Sequence, residues 1–313
     1  MASIFVSLLG TPTFKFLIGE DKTPFFVHVS VLAKASKVLN VLAQGSMAEA
    51  IEGVAVLEDC PPHVFARFCE FTYMGDYEAA KALVASEASM EGVTATGAGA
   101  GGAAAGQMGQ NALGGATAGP ATVAGTTTAQ GAIASSATTT TNSHTPTLPR
   151  FPRTTKKRAS ATNPWNIFLK EDYGSASIFF DPPTNDKPST DFTPVFLSHV
   201  ELYIFADRYD VPDLRDLCLY KLHQTLIHFI IFPERVGDIS RMVEYVYNET
   251  PEKEGESDRL RELVAHYASV SLEDLMVDRE FEEEILLIPG FAKDILRTNM
   301  KTMQKLEYRI AKA

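Results

Sequence analysis

Phe65-Ala66-Arg67-Phe68-Cys69-Glu70-Phe71-Thr72-Tyr73-Met74-Gly75-Asp76-Tyr77 and His199-Val200-Glu201-Leu202-Tyr203-Ile204-Phe205-Ala206-Asp207-Arg208-Tyr209-Asp210-Val211-Pro212-Asp213-Leu214 read as two parts of one small domain, held far apart in the chain. In the first, Val64, Phe65, Phe68, Cys69 and Thr72 make the apolar stripe of a helix. It opens after Pro61, where a missing N–H costs little, and stops at Gly75. In the second, Leu202, Phe205, Ala206 and Tyr209 share one helical face, with Val200, Tyr203 and Ile204 on an adjoining one. Most of that helix's circumference is expected to be covered. Asp210-Val211-Pro212-Asp213 makes a corner, because proline disfavours helix at the residue before it, and Leu214, Leu217, Cys218 and Leu222 carry the next helix.

Upstream, Phe14, Phe16 and Ile18 alternate with Lys15, Leu17 and Gly19; a polar turn over residues 19–23 and the return Phe25-Phe26-Val27 complete a β-hairpin. Ser30 reads as the N-cap of a helix whose buried face is Val31, Leu32, Ala35, Val38, Leu39 and Leu42, ending at Gly45. Val54-Ala55-Val56-Leu57 is a short strand. The order up to Gly75 is therefore β-β-α-β-α.

Residues 92–149 contain no charged side chain and 12 of the chain's 21 glycines. Such a tract has too little apolar surface to offset a chain-entropy loss of roughly 1–2 kcal/mol per residue, so disorder is expected. Residues 164–181, with Trp165, Ile167, Phe168 and Leu169, turn apolar again and are expected to add a strand to the body. Downstream, Ile239, Met242, Val243 and Val246, then Leu260, Leu263, Val264 and Tyr267, then Phe291, Ile295, Met300, Met303, Leu306 and Ile310 make amphipathic helical stripes. The last of these is expected to be core, or a Met-rich grip for a partner helix.

The chain has 313 residues, 45% hydrophobic and 10% aromatic, as in globular proteins; its length alone suggests about two domains. Its net charge of −11 is split unevenly: −5 over residues 1–91, +6 over 92–170 and −12 over 171–313. Acidic folded parts argue against direct nucleic-acid binding, which needs clustered Lys and Arg. No apolar run approaches the ~18 residues of a membrane span, and the first residues lack the basic start of a secretory signal. Cys60, Cys69 and Cys218 form no disulfide framework and no CxxC pair, as expected of an intracellular protein of the cytoplasm or nucleus.

Taken together, the pieces resemble the BTB/POZ family, on Phe25, His28 and Leu32; Met47-Ala48-Glu49; Val54 to Leu57; Tyr73, Gly75 and Tyr77; and Ala206, Asp207, Tyr209 and Leu214. The overall layout is most similar to fungal members. The resemblance implies an α+β fold, a BTB/POZ-like small β-sheet flanked by α-helices, interrupted by a disordered insert and followed by an all-helical C-terminal region. The expected parts are 13–78 and 194–226 for the BTB/POZ-like domain, 79–193 for the insert and 227–313 for the extension. About a dozen residues precede Thr13, so the domain-swapped dimer of long-form members is not expected; the Asp that often opens the first strand is missing; and no substrate-reading domain follows.

In cullin-recruiting members, a hydrophobic residue two before a Glu inserts into the cullin's N-terminal helical region, which makes Met47 and Glu49 candidate partner-binding residues. The plainer reading is that Glu49 only ends a loop. Lys156, Lys157 and Arg158 are a candidate import signal, with Ser160 beside them a candidate phosphorylation site; as a solvated linker the run needs no function.

Catalytic, metal and cofactor sites are not expected. Gly97-Ala98-Gly99-Ala100-Gly101-Gly102 satisfies GxGxxG, but the acid a dinucleotide site needs about 20 residues on is missing. The histidines show no ligand spacing, and His28 reads as a packing residue beneath the hairpin. The expected function is a non-enzymatic adaptor binding protein partners, a cullin-type ubiquitin ligase among them. The alternative is a self-associating nuclear scaffold that regulates transcription through its partners. Whether copies form a homo-oligomer stays open.

Overall fold

The computed structural model describes residues 10–84, 163–173, 179–252 and 258–312. Strand β1 (Thr13–Ile18) lies at the centre of a three-stranded sheet ordered β2-β1-β3. It pairs antiparallel with β2 (Thr23–His28), Phe16 opposite Phe25, and parallel with β3 (Val54–Leu57), Ile18 opposite Leu57. Alternation decides the faces: Phe14, Phe16 and Ile18 are buried, while Lys15 and Leu17 turn outward. Gly19 adopts φ +73 in the tight hairpin turn, which Lys22 N–H closes on Gly19 O at 3.0 Å.

Helix follows in two pieces where the spacing predicts one. Helix α1 (Val29–Ala35) starts without a side-chain cap, and Ser30 instead hydrogen-bonds Thr11 through the two hydroxyls at 2.9 Å. The cap belongs to Ser36, which is extended (φ −145, ψ 124) and whose Oγ accepts from Leu39 N–H at 3.0 Å to open α2 (Lys37–Gln44). Serine competes for backbone bonds and so breaks a helix it could have continued. The break re-aims α2: Leu39 and Ala43 are buried, but Val38 and Val41 face outward.

A short helix α3 (Ala48–Glu52), β3 and α4 (Pro62–Met74) complete the first half. The second half opens with α6 (Thr193–Arg208), buried on nearly all sides through its own Val195, Phe196, Val200, Leu202, Phe205 and Ala206, and continues as α7 (Pro212–His228). One core takes in both halves. Phe205 of α6 packs on Phe65 and Phe68 of α4, with ring centroids 6.0 and 5.0 Å apart, and Ser36 Oγ donates to Tyr209 O.

Both margins of the expected insert are built into this body. Leu83–Val84 (β4) pairs antiparallel with Thr190–Asp191 (β5), and Ala80 N–H donates to Ser198 Oγ at 3.1 Å. Residues 164–181 add no strand where they are described. Trp165–Phe168 is a single helical turn, α5, which drives Trp165, Ile167 and Phe168 into the core beside His223, His266 and Tyr267. Three large side chains in four residues bury more as a turn of helix than as a strand alternating to solvent. The central tract lies outside the described residues.

Helices α8 (Val236–Glu249), α9 (Arg259–Leu275), α10 (Arg279–Leu287) and α11 (Pro289–Lys312) close the chain on the same core. The architecture is α+β, mostly helical with small sheets.

Candidate partner-binding surface

Gly45 and Ser46 bridge α2 to α3, and Met47 occupies the N-cap position of α3 with φ −76 and ψ 163. Its carbonyl accepts from Ala50 N–H at 3.1 Å, so the backbone is held while the side chain stays 53% exposed. Glu49 sits half-buried in the first turn, where a carboxylate is favoured by the helix N-terminus. Gly53, at φ +69, caps the other end and feeds β3.

The elements adjoining Met47 leave further apolar side chains in solvent: Val38 and Val41 on α2, Ile51 on α3 and Val56 on β3. Ile51 is 81% exposed. Scattered exposed hydrophobics are ordinary, but several on neighbouring elements make a surface fit for a partner. Helical spacing assigns Val38 to the core, so this surface stays hidden until Ser36 is recognised as a second cap.

The remaining candidates do not converge. Lys156, Lys157, Arg158, Ser160 and the glycine motif lie outside the described residues. His28 is tied to one tyrosine: its Nδ1 is 2.7 Å from Tyr73 Oη and its backbone N–H donates to the same oxygen at 3.1 Å. Burial pushes the Cys60, Cys69 and Cys218 thiols up to about 12, which keeps them protonated and weakly nucleophilic. Among the described residues no three His, Cys, Asp or Glu side chains group as a metal site, and no helix is long and apolar enough to cross a membrane.

A groove of about 560 Å³ lies between the end of α4 and α7. The buried part of its charged lining is engaged internally: Lys221, 2% exposed, pairs with Asp76, donates to Tyr77 O at 2.5 Å and lies 4.3 Å from the Tyr77 ring centroid. Glu70 accepts from Glu78 N–H at 3.0 Å. Tyr77 Oη meets His199 Nδ1 at 2.7 Å, and burial lowers His199 to about 3, so that imidazole is neutral. These bonds clamp the end of the first half onto α6 and α7.

Compared with known proteins, the chain matches no family model, no curated protein and no solved structure.

Proposed function

We propose that the chain is a non-enzymatic adaptor with a BTB/POZ-like domain, and that its α2–α3 surface holds a cullin-type ubiquitin-ligase scaffold. The observation that carries this reading is the exposed Met47 beside first-turn Glu49, with Val38 and Val41 exposed on the preceding helix and Ile51 exposed on the same one. Met47 would enter an apolar pocket on the partner while Glu49 supplies a charged rim, the arrangement of an interface hot spot. Losing such an anchor costs about 2 kcal/mol or more, roughly a thirtyfold loss of affinity.

Calorimetric titration with the N-terminal helical region of a cullin tests the proposal. Wild type is expected to bind, and Met47→Ala with Glu49→Ala to bind at least tenfold more weakly at unchanged melting temperature. No binding by the wild type, or equal binding by the double variant, removes the cullin as partner.

A further inference from the structure

Helix α11 has two apolar faces, and only one is used. Phe291, Ile295 and Thr302 are buried against the body. On the opposite side Leu296, Met300, Met303 and Ile310 are 66, 64, 61 and 60% exposed. At 100° per residue these four fall within about 80° of one another. With Glu307 their spacing is 4, 3, 4 and 3, the seam of a two-stranded coiled coil about 21 Å long.

We propose that this seam pairs antiparallel with the same seam of a second copy of the chain. Charge complementarity selects that occupant and that direction. A parallel pair would set Glu307 against its own copy in the seam. The antiparallel register that stacks Met300 on the other copy's Met303 brings each Glu307 beside the opposite Leu296 and Arg297. Glu307 is exposed and makes no hydrogen bond or ion pair among the described residues, while Arg297 is paired within its own helix to Asp294, at 3.2 Å. Three lysines beside the seam are turned to the body instead: Lys301 pairs with Glu262 at 3.6 Å, Lys305 with Glu171 at 3.0 Å, and Lys293 with Glu252. In this register Ile310 falls opposite Lys293, so Leu296, Met300 and Met303 of two copies form the apolar contact and bury roughly 700–800 Å² in total, well below the standard interface size, so the dimer is weak and reversible. This pairing stands apart from the α2–α3 surface and does not depend on what Met47 binds.

Sedimentation equilibrium of the full chain over about 1–300 µM tests the pairing, since weak dimers of this area dissociate in that range. Wild type is expected to show a monomer–dimer equilibrium that Met300→Glu with Met303→Glu weakens at least thirtyfold, with circular dichroism and melting temperature unchanged because both residues are exposed. Arg297→Glu and Glu307→Arg are each expected to weaken association severalfold alone. Mixed together, the two single variants restore it, because each then offers the other's complement. A wild type that stays monomeric throughout, a dimer that survives the two methionine changes, or a mixture no stronger than its components overturns the proposal.

Discussion

Ser36 carries two jobs on one hydroxyl, accepting from Leu39 N–H to open α2 and donating to Tyr209 O across the join between the two halves. Ser36→Ala removes the cap and leaves a carbonyl unpaired, a loss of about 1–3 kcal/mol that a fall in the urea midpoint at unchanged slope would register. Glycine requirements differ in kind from place to place. At Gly75, φ is +78 with open space around it, so Gly75→Ala carries only the conformational penalty, about 1 kcal/mol. At Gly45 a Cβ would stand 2.3 Å from Val41 O, which forces the α2–α3 bridge to move. Gly45→Ala is therefore expected to destabilise more than Gly75→Ala and also to shift Met47. Chemical-shift changes confined to residues 41–53 would register that shift; equal melting temperatures for the two variants would contradict it.

Element α5 shows how a short segment docks. Phe168 lies between His223 and His266, with ring centroids 4.7 and 5.1 Å away, and its carbonyl bonds His223 Nε2 at 2.9 Å, while Tyr173 Oη bonds His266 Nδ1 at 2.6 Å. Burial lowers His266 to about 4 and lowers His223 as well; nearby Glu171 opposes both shifts, whereas Lys305 adds to that of His266. A folded-state value below the ordinary 6.5 means that the unfolded chain binds more protons between pH 6.5 and 4. Stability is then complete above pH 6.5 and falls as pH drops, by up to about 1.4 kcal/mol per pH unit for each such histidine. Urea midpoints measured from pH 7.5 to 4.5 are expected to fall, and His266→Asn to flatten that fall; an unchanged slope would place His266 outside it. Little of this docking was legible beforehand. Trp165, Ile167 and Phe168 announce burial, but three apolar side chains in four residues carry no period with which to choose helix over strand. The hairpin is the opposite case, because strict alternation at Phe14, Phe16 and Ile18 leaves one register that buries all three.

Across the whole molecule, helix α6 joins what the sequence separates. Its near-continuous apolar surface could be read directly from Val200, Leu202, Tyr203, Phe205 and Ala206, and such a helix must be enclosed on all sides. What encloses it could not be read, since the margins at 79–84 and 179–193 have no apolar period and are held through backbone bonds such as Ala80 N–H to Ser198 Oγ. The C-terminal stripe misled for a different reason: it joined two faces of one helix, since at 100° per residue Phe291 and Met300 lie about 180° apart, and Phe291 and Ile295 face the core while Met300 and Met303 face solvent. A single core spanning both halves has a thermodynamic consequence. Trp165, the chain's one tryptophan, lies in the helical part against Phe168 at 5.3 Å, while Phe65 packs on the sheet through Phe16 at 5.0 Å and on α6 through Phe205. If the halves unfold together, Phe65→Ala, which empties a fully buried site at a cost of about 3–5 kcal/mol, must lower the Trp165 fluorescence transition as much as the far-ultraviolet transition, although the two residues lie on opposite sides of the central tract. Equilibrium denaturation followed by both signals is expected to give coincident curves in wild type and variant. A Trp165 transition that stays in place while the other moves would mean two cores rather than one, and α6 would then belong to only one of them.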